Sequence, residues 1–150
     1  MRIIIGSDHA GFGLKEEIKR FLTSKKIELV DVGTDGTVSV DYPQFAEKVA
    51  KGVAQGEFDR GIIVCGTGIG VAMVANKIPG VRAANVSDIV SARMSREHND
   101  ANVLALGARI VDPVQAKEIV DAWLRAEFVG ERHQRRLDQM REIEEKHRKN

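Results

Sequence analysis

Short apolar runs of strand character alternate with stretches of helical spacing along this chain, and that alternation leaves few folds open. Arg2 to Gly6 reads RIIIG and is followed by Leu14, Ile18, Phe21 and Leu22 on one helical face. Ile27 to Val32 is a second strand candidate. Tyr42 to Ala54 then places Phe45, Val49 and Val53 on one side with Ala46, Ala50 and Ala54 beside them. The unit repeats in Gly61 to Cys65 with a helix over Val71 to Lys77, and again in Val81 to Val86 with a helix over Asp88 to Glu97 capped by Ser87. Val103 to Leu106 is the fifth strand. Asp112 as cap and Pro113 at the first helical position open the next helix, which carries Ile119, Val120, Trp123 and Leu124. Apolar strands separated by helices predict an α/β fold, a three-layer α/β/α sandwich with a five-stranded parallel Rossmann-like sheet covered on both faces. Ligands in such folds sit beyond the carboxyl ends of the strands, and Asp8, His9, Cys65, Thr67, His98 and Asn99 are all expected in that region.

The 150 residues fit one domain, which buries about 70% of the surface of the unfolded chain. No low-complexity linker divides them. From Glu131 to Asn150 the composition becomes strongly charged, with Leu137, Met140 and Ile143 as a thin apolar stripe. An extended C-terminal helix of this kind buries little against its own domain and is expected to lie across a second subunit. The balance of 23 basic against 22 acidic residues supplies no global field for nucleic acid or an anionic membrane, so an anionic ligand has to be met locally. A single cysteine excludes an internal disulfide and provides too few sulfurs for a structural zinc site, which makes a reducing cytoplasm the expected compartment. The opening MRIIIGSDHAG is too briefly apolar for a secretory signal, and no later run is long enough to span a bilayer.

Chemistry is concentrated between Gly61 and Lys77, GIIVCGTGIGVAMVANK. Cys65 ends the apolar strand, and Gly66, Thr67, Gly68, Ile69 and Gly70 form a turn whose backbone N–H groups can converge on an anion. Such a setting favours a thiolate, although a lone cysteine at a strand end serves equally well as a small buried hydrophobe. The turn lacks the Lys-Ser/Thr ending of a nucleoside triphosphate loop, and its GxGxG spacing differs from the dinucleotide fingerprint. Asp8 and His9 follow the first strand and read in isolation as an acidic turn. His98 and Asn99 read as a helix-ending turn. Their expected proximity to Cys65 is what gives them chemical interest, because proton transfer needs several titratable groups within reach. No pair among Asp8, His9, His98 and Asp100 has a recognised metal-ligand spacing, and no metal is expected. Arg132, Arg135, Arg136 and Arg141 read most simply as a solvated face paired with Glu142, Glu144 and Glu145. Alternatively Arg132 and Arg136, one turn apart, clamp a phosphate with Arg109. The stretch has no aromatic residue for stacking nucleobases.

Taken together, GSDHAGFGLK at 6 to 15, DYPQFA at 41 to 46, CGTGIGVAMVANK at 65 to 77, SREHNDANVLALGARIV at 95 to 111 and GERHQRR at 130 to 136 resemble the type B ribose-5-phosphate isomerases over essentially the whole chain. That family includes allose-6-phosphate isomerases and galactose-6-phosphate isomerase subunits. The resemblance implies an aldose-ketose isomerase of the pentose phosphate pathway, a homodimer or tetramer whose sites are shared across an interface. It implies that Cys65 moves a proton between C1 and C2 of the open-chain sugar phosphate, with Thr67 assisting. His98 would open the furanose ring with Asp8 as its partner, Asn99 would hydrogen-bond the substrate, and His9, Arg109, Arg132 and Arg136 would hold the phosphate. One branch of the family carries a glutamate base where this chain has Val71, which leaves Cys65 as the base in the loop. Proton transfer through an enediolate requires an anion hole rather than a cofactor, and none is expected. A phosphosugar-binding regulator without catalysis is the alternative from another class.

Overall fold

In the computed structural model, which describes residues 1–149, the sheet is built from β1 (Arg2–Ser7), β2 (Glu28–Asp31), β3 (Arg60–Cys65), β4 (Ala83–Asn85) and β5 (Val103–Gly107). The helices are α1 (Phe12–Ser24), α2 (Tyr42–Ala54), α3 (Ile69–Ala75), α4 (Ile89–Glu97), α5 (Pro113–Arg125) and α6 (Arg132–His147). All pairings are parallel, in the order β2-β1-β3-β5-β4. The expected α/β sandwich is therefore present, and its period-two alternation sorts the core. Ile3, Ile5, Ile62, Val64, Leu104 and Leu106 face the layer of α1, α4 and α5, where Trp123 is fully buried. Ile4, Ile63, Cys65, Val103 and Ala105 face α2 and α3.

Several element ends differ from the expected ones for local reasons. Asp88, not Ser87, caps α4, because its carboxylate accepts the Ser91 amide at 2.7 Å. β4 is limited to three residues, since the Arg82 amide turns to the Asn102 side chain at 2.7 Å instead of joining the ladder. Asp112 forms a full capping box with Gln115, as its sequence suggests. The C-terminal helix stops at His147, short of the expected end, and Asn150 lies outside the described residues.

The chain leaves β1 for β2 on one side and returns to place β3 on the other, so a crevice opens at the carboxyl ends of β1 and β3. Ser7 is in register with Val64, which brings Asp8 and Cys65 out of the sheet side by side, about 5 Å apart along the hydrogen-bonding direction. Apart from His133, which is buried, helix α6 packs little against its own domain and leaves Met140 and Ile143 exposed.

Candidate active site

At the crevice, Cys65 is almost completely buried at the end of β3, and its Sγ accepts the Gly68 amide at 3.1 Å. It belongs both to the core against Val71 and Ala72 and to the loop above them, which combines the two roles its sequence left open. Gly68 has φ +80°, and a Cβ there would stand 2.6 Å from Asn85 Oδ1 and 2.9 Å from the Leu106 carbonyl carbon, so only glycine closes the turn. Thr67 is exposed and its Oγ1 accepts the Ile69 amide at 3.2 Å, leaving the hydroxyl proton free to donate. Ile69 is half exposed beside it, and Gly70 is pressed against the ring of Tyr42, from the first turn of α2.

Asp8 is buried, with Oδ1 accepting the Gly11 amide at 2.9 Å and its own amide donating to the Val64 carbonyl at 3.3 Å. His9 Nδ1 accepts the Val40 amide at 3.1 Å, which places the proton of the neutral ring on Nε2 and makes that nitrogen the outward donor. Arg109 leaves the end of β5 with its amide on the Gly66 carbonyl at 2.9 Å, and its Nη1 lies 3.0 Å from where a Cβ on Gly66 would be. Asp8, His9, Cys65, the 66–70 loop and Arg109 thus form one cluster.

His98 and Asn99 are elsewhere, contrary to the expectation that they share this edge. They follow α4, which runs back against the strands, and they precede β5. The Gly61 amide bonds the Asn102 carbonyl at 2.9 Å, and Val103 is in register with Gly61, so the 98–102 loop lies at the amino ends of β3 and β5. Arg82 and Arg96 fix it. Arg82 donates to the Asn99 and Asp100 carbonyls, and Arg96 Nη1 donates to Asp100 Oδ1 at 2.8 Å and the Ala101 carbonyl at 2.7 Å.

The start of α6 joins this second cluster. The Val129 amide bonds the Glu97 carbonyl at 3.0 Å, and the His133 ring stacks on His98 with centroids 4.3 Å apart. His133 was not singled out from the sequence. Its signal was there in GERHQRR, where it sits between Arg132 and Arg136. The acidic pairing expected for these arginines is absent: among the described residues no ion pair engages Arg132, Arg135 or Arg136, and Arg141 pairs with Asp138. For Arg132 and Arg136 the reason is spacing, since the residue one turn beyond Arg132 is Arg136 and the one beyond Arg136 is Met140. Two unneutralised guanidiniums one turn apart are suited to a phosphate. They stand at the amino edge with His98 and Asn99, while Arg109 stays at the carboxyl edge.

The two edges carry different groups: a buried thiol, carboxylate and glycine loop at one, and imidazoles, an amide and two arginines one turn apart at the other. Among the described residues no three His, Cys, Asp or Glu side chains converge as a metal site, and no helix is long and apolar enough to cross a membrane.

The family model described as Ribose/Galactose Isomerase matches residues 3–140. This chain belongs to the ribose/galactose isomerase family. Ribose-5-phosphate isomerase B of Escherichia coli is 48% identical over 145 residues, covering 97% of both chains. The structure of Clostridium thermocellum ribose-5-phosphate isomerase B superposes with a TM-score of 0.97 at 55% identity, covering 99% of this chain and all of that one. Ribose-5-phosphate isomerase B from Mycoplasma genitalium, solved with bound ribulose-5-phosphate, gives a TM-score of 0.92 at 44% identity over 96% of each chain. The family's backbone is thus reproduced through both edge clusters, including the loops that carry Cys65 and His98.

Proposed function

We propose that this chain interconverts D-ribose 5-phosphate and D-ribulose 5-phosphate, a step of the pentose phosphate pathway, as a cytoplasmic single-domain enzyme assembled into a homodimer or larger oligomer. The observation that carries the proposal is the likeness to the Mycoplasma enzyme, whose bound ribulose-5-phosphate is the ketose partner of this reaction. The site joins the Cys65 edge of one subunit to the His98 edge of another. Neither edge suffices alone, because the first lacks the free paired arginines and the second lacks a base beside an anion hole.

In this reading His98 takes the anomeric O1 proton as the furanose C1–O4 bond breaks and passes it to O4, and Asp8 carries the O2 hydroxyl proton to O1 in the isomerisation that follows. The Cys65 thiolate then removes the C2 proton of the open aldose and returns it to C1, leaving the carbonyl at C2. The same proton is taken and given, so the step is redox-balanced within the sugar. Charge developing on the enediolate oxygens meets the amides of the 66–70 loop, where a single fixed donor is worth about 3 kcal/mol. The Gly68 amide already points at Sγ, which holds the sulfur at the mouth of the loop. Thr67 donates to a sugar oxygen, and Asn99 holds a hydroxyl. His9, Arg109, Arg132 and Arg136 hold the phosphate, whose binding energy orients carbons remote from it.

Turnover of the purified protein with chelator present, on ribose 5-phosphate and allose 6-phosphate, tests the proposal. Activity on the pentose that falls by orders of magnitude in Cys65→Ala is expected. No isomerisation of either sugar by the wild type would sink the enzyme reading, and full activity in Cys65→Ala would remove Cys65 as the base.

A further inference from the structure

The reaction as proposed gives His98 a task and leaves His133 without one, although the chain goes to some length to place it. Gly130 and Glu131 adopt φ values of +76° and +54°, two consecutive residues of positive φ that turn the chain sharply into α6. The Val129–Glu97 bond ties that turn to the end of α4, and the His133 amide closes onto the Gly130 carbonyl at 3.0 Å. The result is a buried His133 ring parallel to that of His98, with an interplanar angle of 9° and a centroid distance of 4.3 Å. His98 itself ends α4, held there by its amide on the Met94 carbonyl at 2.8 Å. Its ring makes no hydrogen bond among the described residues, so no polar contact sets its rotation, and the terminal torsion of a histidine is intrinsically broad. A ring that accepts a proton from a sugar hydroxyl has to present one nitrogen within about 3 Å of that oxygen.

We infer that His133 is a positioning residue for His98, a flat plate that fixes the plane of the imidazole that opens the sugar ring. This rests on the proposed role of His98. The charges around the stack fit a plate that stays neutral while its neighbour exchanges protons. Burial holds the basicity of His133 below the ordinary value of 6.5, positive charge on His98, Arg132 and Arg136 adds to this, and Glu131 opposes it. On the α4 side Arg93 and Glu97 are paired with each other at 3.5 Å, and Arg96 is paired with Asp100 at 2.8 Å. With the rings 4.3 Å apart, two protons in the stack are disfavoured by like-charge repulsion.

The test is steady-state turnover of ribose 5-phosphate by His133→Ala, His133→Phe, His98→Asn and the double variant His98→Asn/His133→Ala, with proton NMR titration of the histidine rings in wild type and His98→Asn. Loss of the plate in His133→Ala should lower kcat about tenfold and change KM by less than about threefold, because substrate binding is left intact. Phenylalanine can stack as flatly, so His133→Phe should return kcat to within about threefold of wild type. In the His98→Asn background the alanine substitution should cause no further loss. The His133 resonance should titrate below 6.5 and move upward when His98 is replaced. Wild-type kcat in His133→Ala, equal losses in the alanine and phenylalanine variants, an undiminished loss in the His98→Asn background, or a wild-type His133 that titrates at or above 6.5 would each overturn the inference. Full activity in His98→Asn alone would instead remove the ring-opening role beneath it. If His133→Ala does not fold, the phenylalanine variant and the wild-type titration still decide.

Discussion

Mixing two inactive variants should restore activity, and the amount is calculable from the fold. Cys65 closes β3 and is in register with Gly107, whereas the loop of His98 adjoins Gly61 at the strand's beginning. Four residues of strand separate those levels, which at about 3.3 Å each is about 13 Å. Proton transfer requires contacts of about 3 Å, so Cys65 and His98 of one chain cannot serve one sugar. Cys65→Ala and His98→Ala homo-oligomers should each be nearly inactive. After dissociation and random reassociation of equal amounts, half of the dimers pair one chain of each kind. In such a dimer one interface site receives both substitutions and the other receives neither, so the mixture should recover about a quarter of wild-type activity. Native mass spectrometry of chains with different tags establishes that exchange has occurred. Activity no higher than that of the parents after verified exchange would mean that both residues work within one chain, and the two-edge reading would be wrong.

Arg132→Ala and Arg136→Ala should each raise KM for ribose 5-phosphate about tenfold with a smaller change in kcat, as expected for a charge-assisted contact remote from the reacting carbons. Unchanged KM and affinity in both would remove the clamp. In Gly70→Ala the new Cβ would fall 2.6 Å from Cζ of Tyr42. That ring ends an exposed side chain that can swing aside, so a change of less than about 1 kcal/mol is expected in urea unfolding, and a loss of about 3 kcal/mol would show that the ring is fixed in place. Asp31 accepts hydrogen bonds from the buried Lys15 at 2.7 Å, from Lys19 at 2.8 Å and from the Gly33 amide at 2.8 Å. Burial would raise its pKa, but these bonds outweigh burial and hold it below the ordinary 3.8. Asp31→Asn should cost about 1–3 kcal/mol at neutral pH by leaving the buried Lys15 with Glu16 at 3.5 Å as its remaining counter-charge. Because the folded pKa is the lower one, this stabilisation is complete above 3.8 and is lost as pH falls through the folded value, so the gap between wild type and Asp31→Asn should close in acid. A gap that persists at pH 2 would assign the cost to packing.

The layers of this fold were legible in its sequence because the central strands β1, β3 and β5 are buried on both faces and the helices α1, α2 and α5 on one, so residue type marks the elements. Residue type also marked Cys65, Asp8 and the arginines as chemically able. The length of β4 was not legible, since it is set by the distant Asn102 side chain, and neither was the His98–His133 stack, which depends on where α6 returns. The misplacement of His98 is more instructive, because the information was present. In a parallel sheet every residue between a strand and the following helix lies at the carboxyl edge, and every residue between a helix and the following strand lies at the amino edge. Cys65 is of the first kind and His98, which follows Glu97 of α4 and precedes Val103 of β5, is of the second. Five strands pointing one way cannot bring those two positions together, whatever the loops do. A chain that carries a buried thiol at one edge and unneutralised arginines with a stacked imidazole pair at the other can bring both to one sugar, as we propose, only by pairing with a second copy.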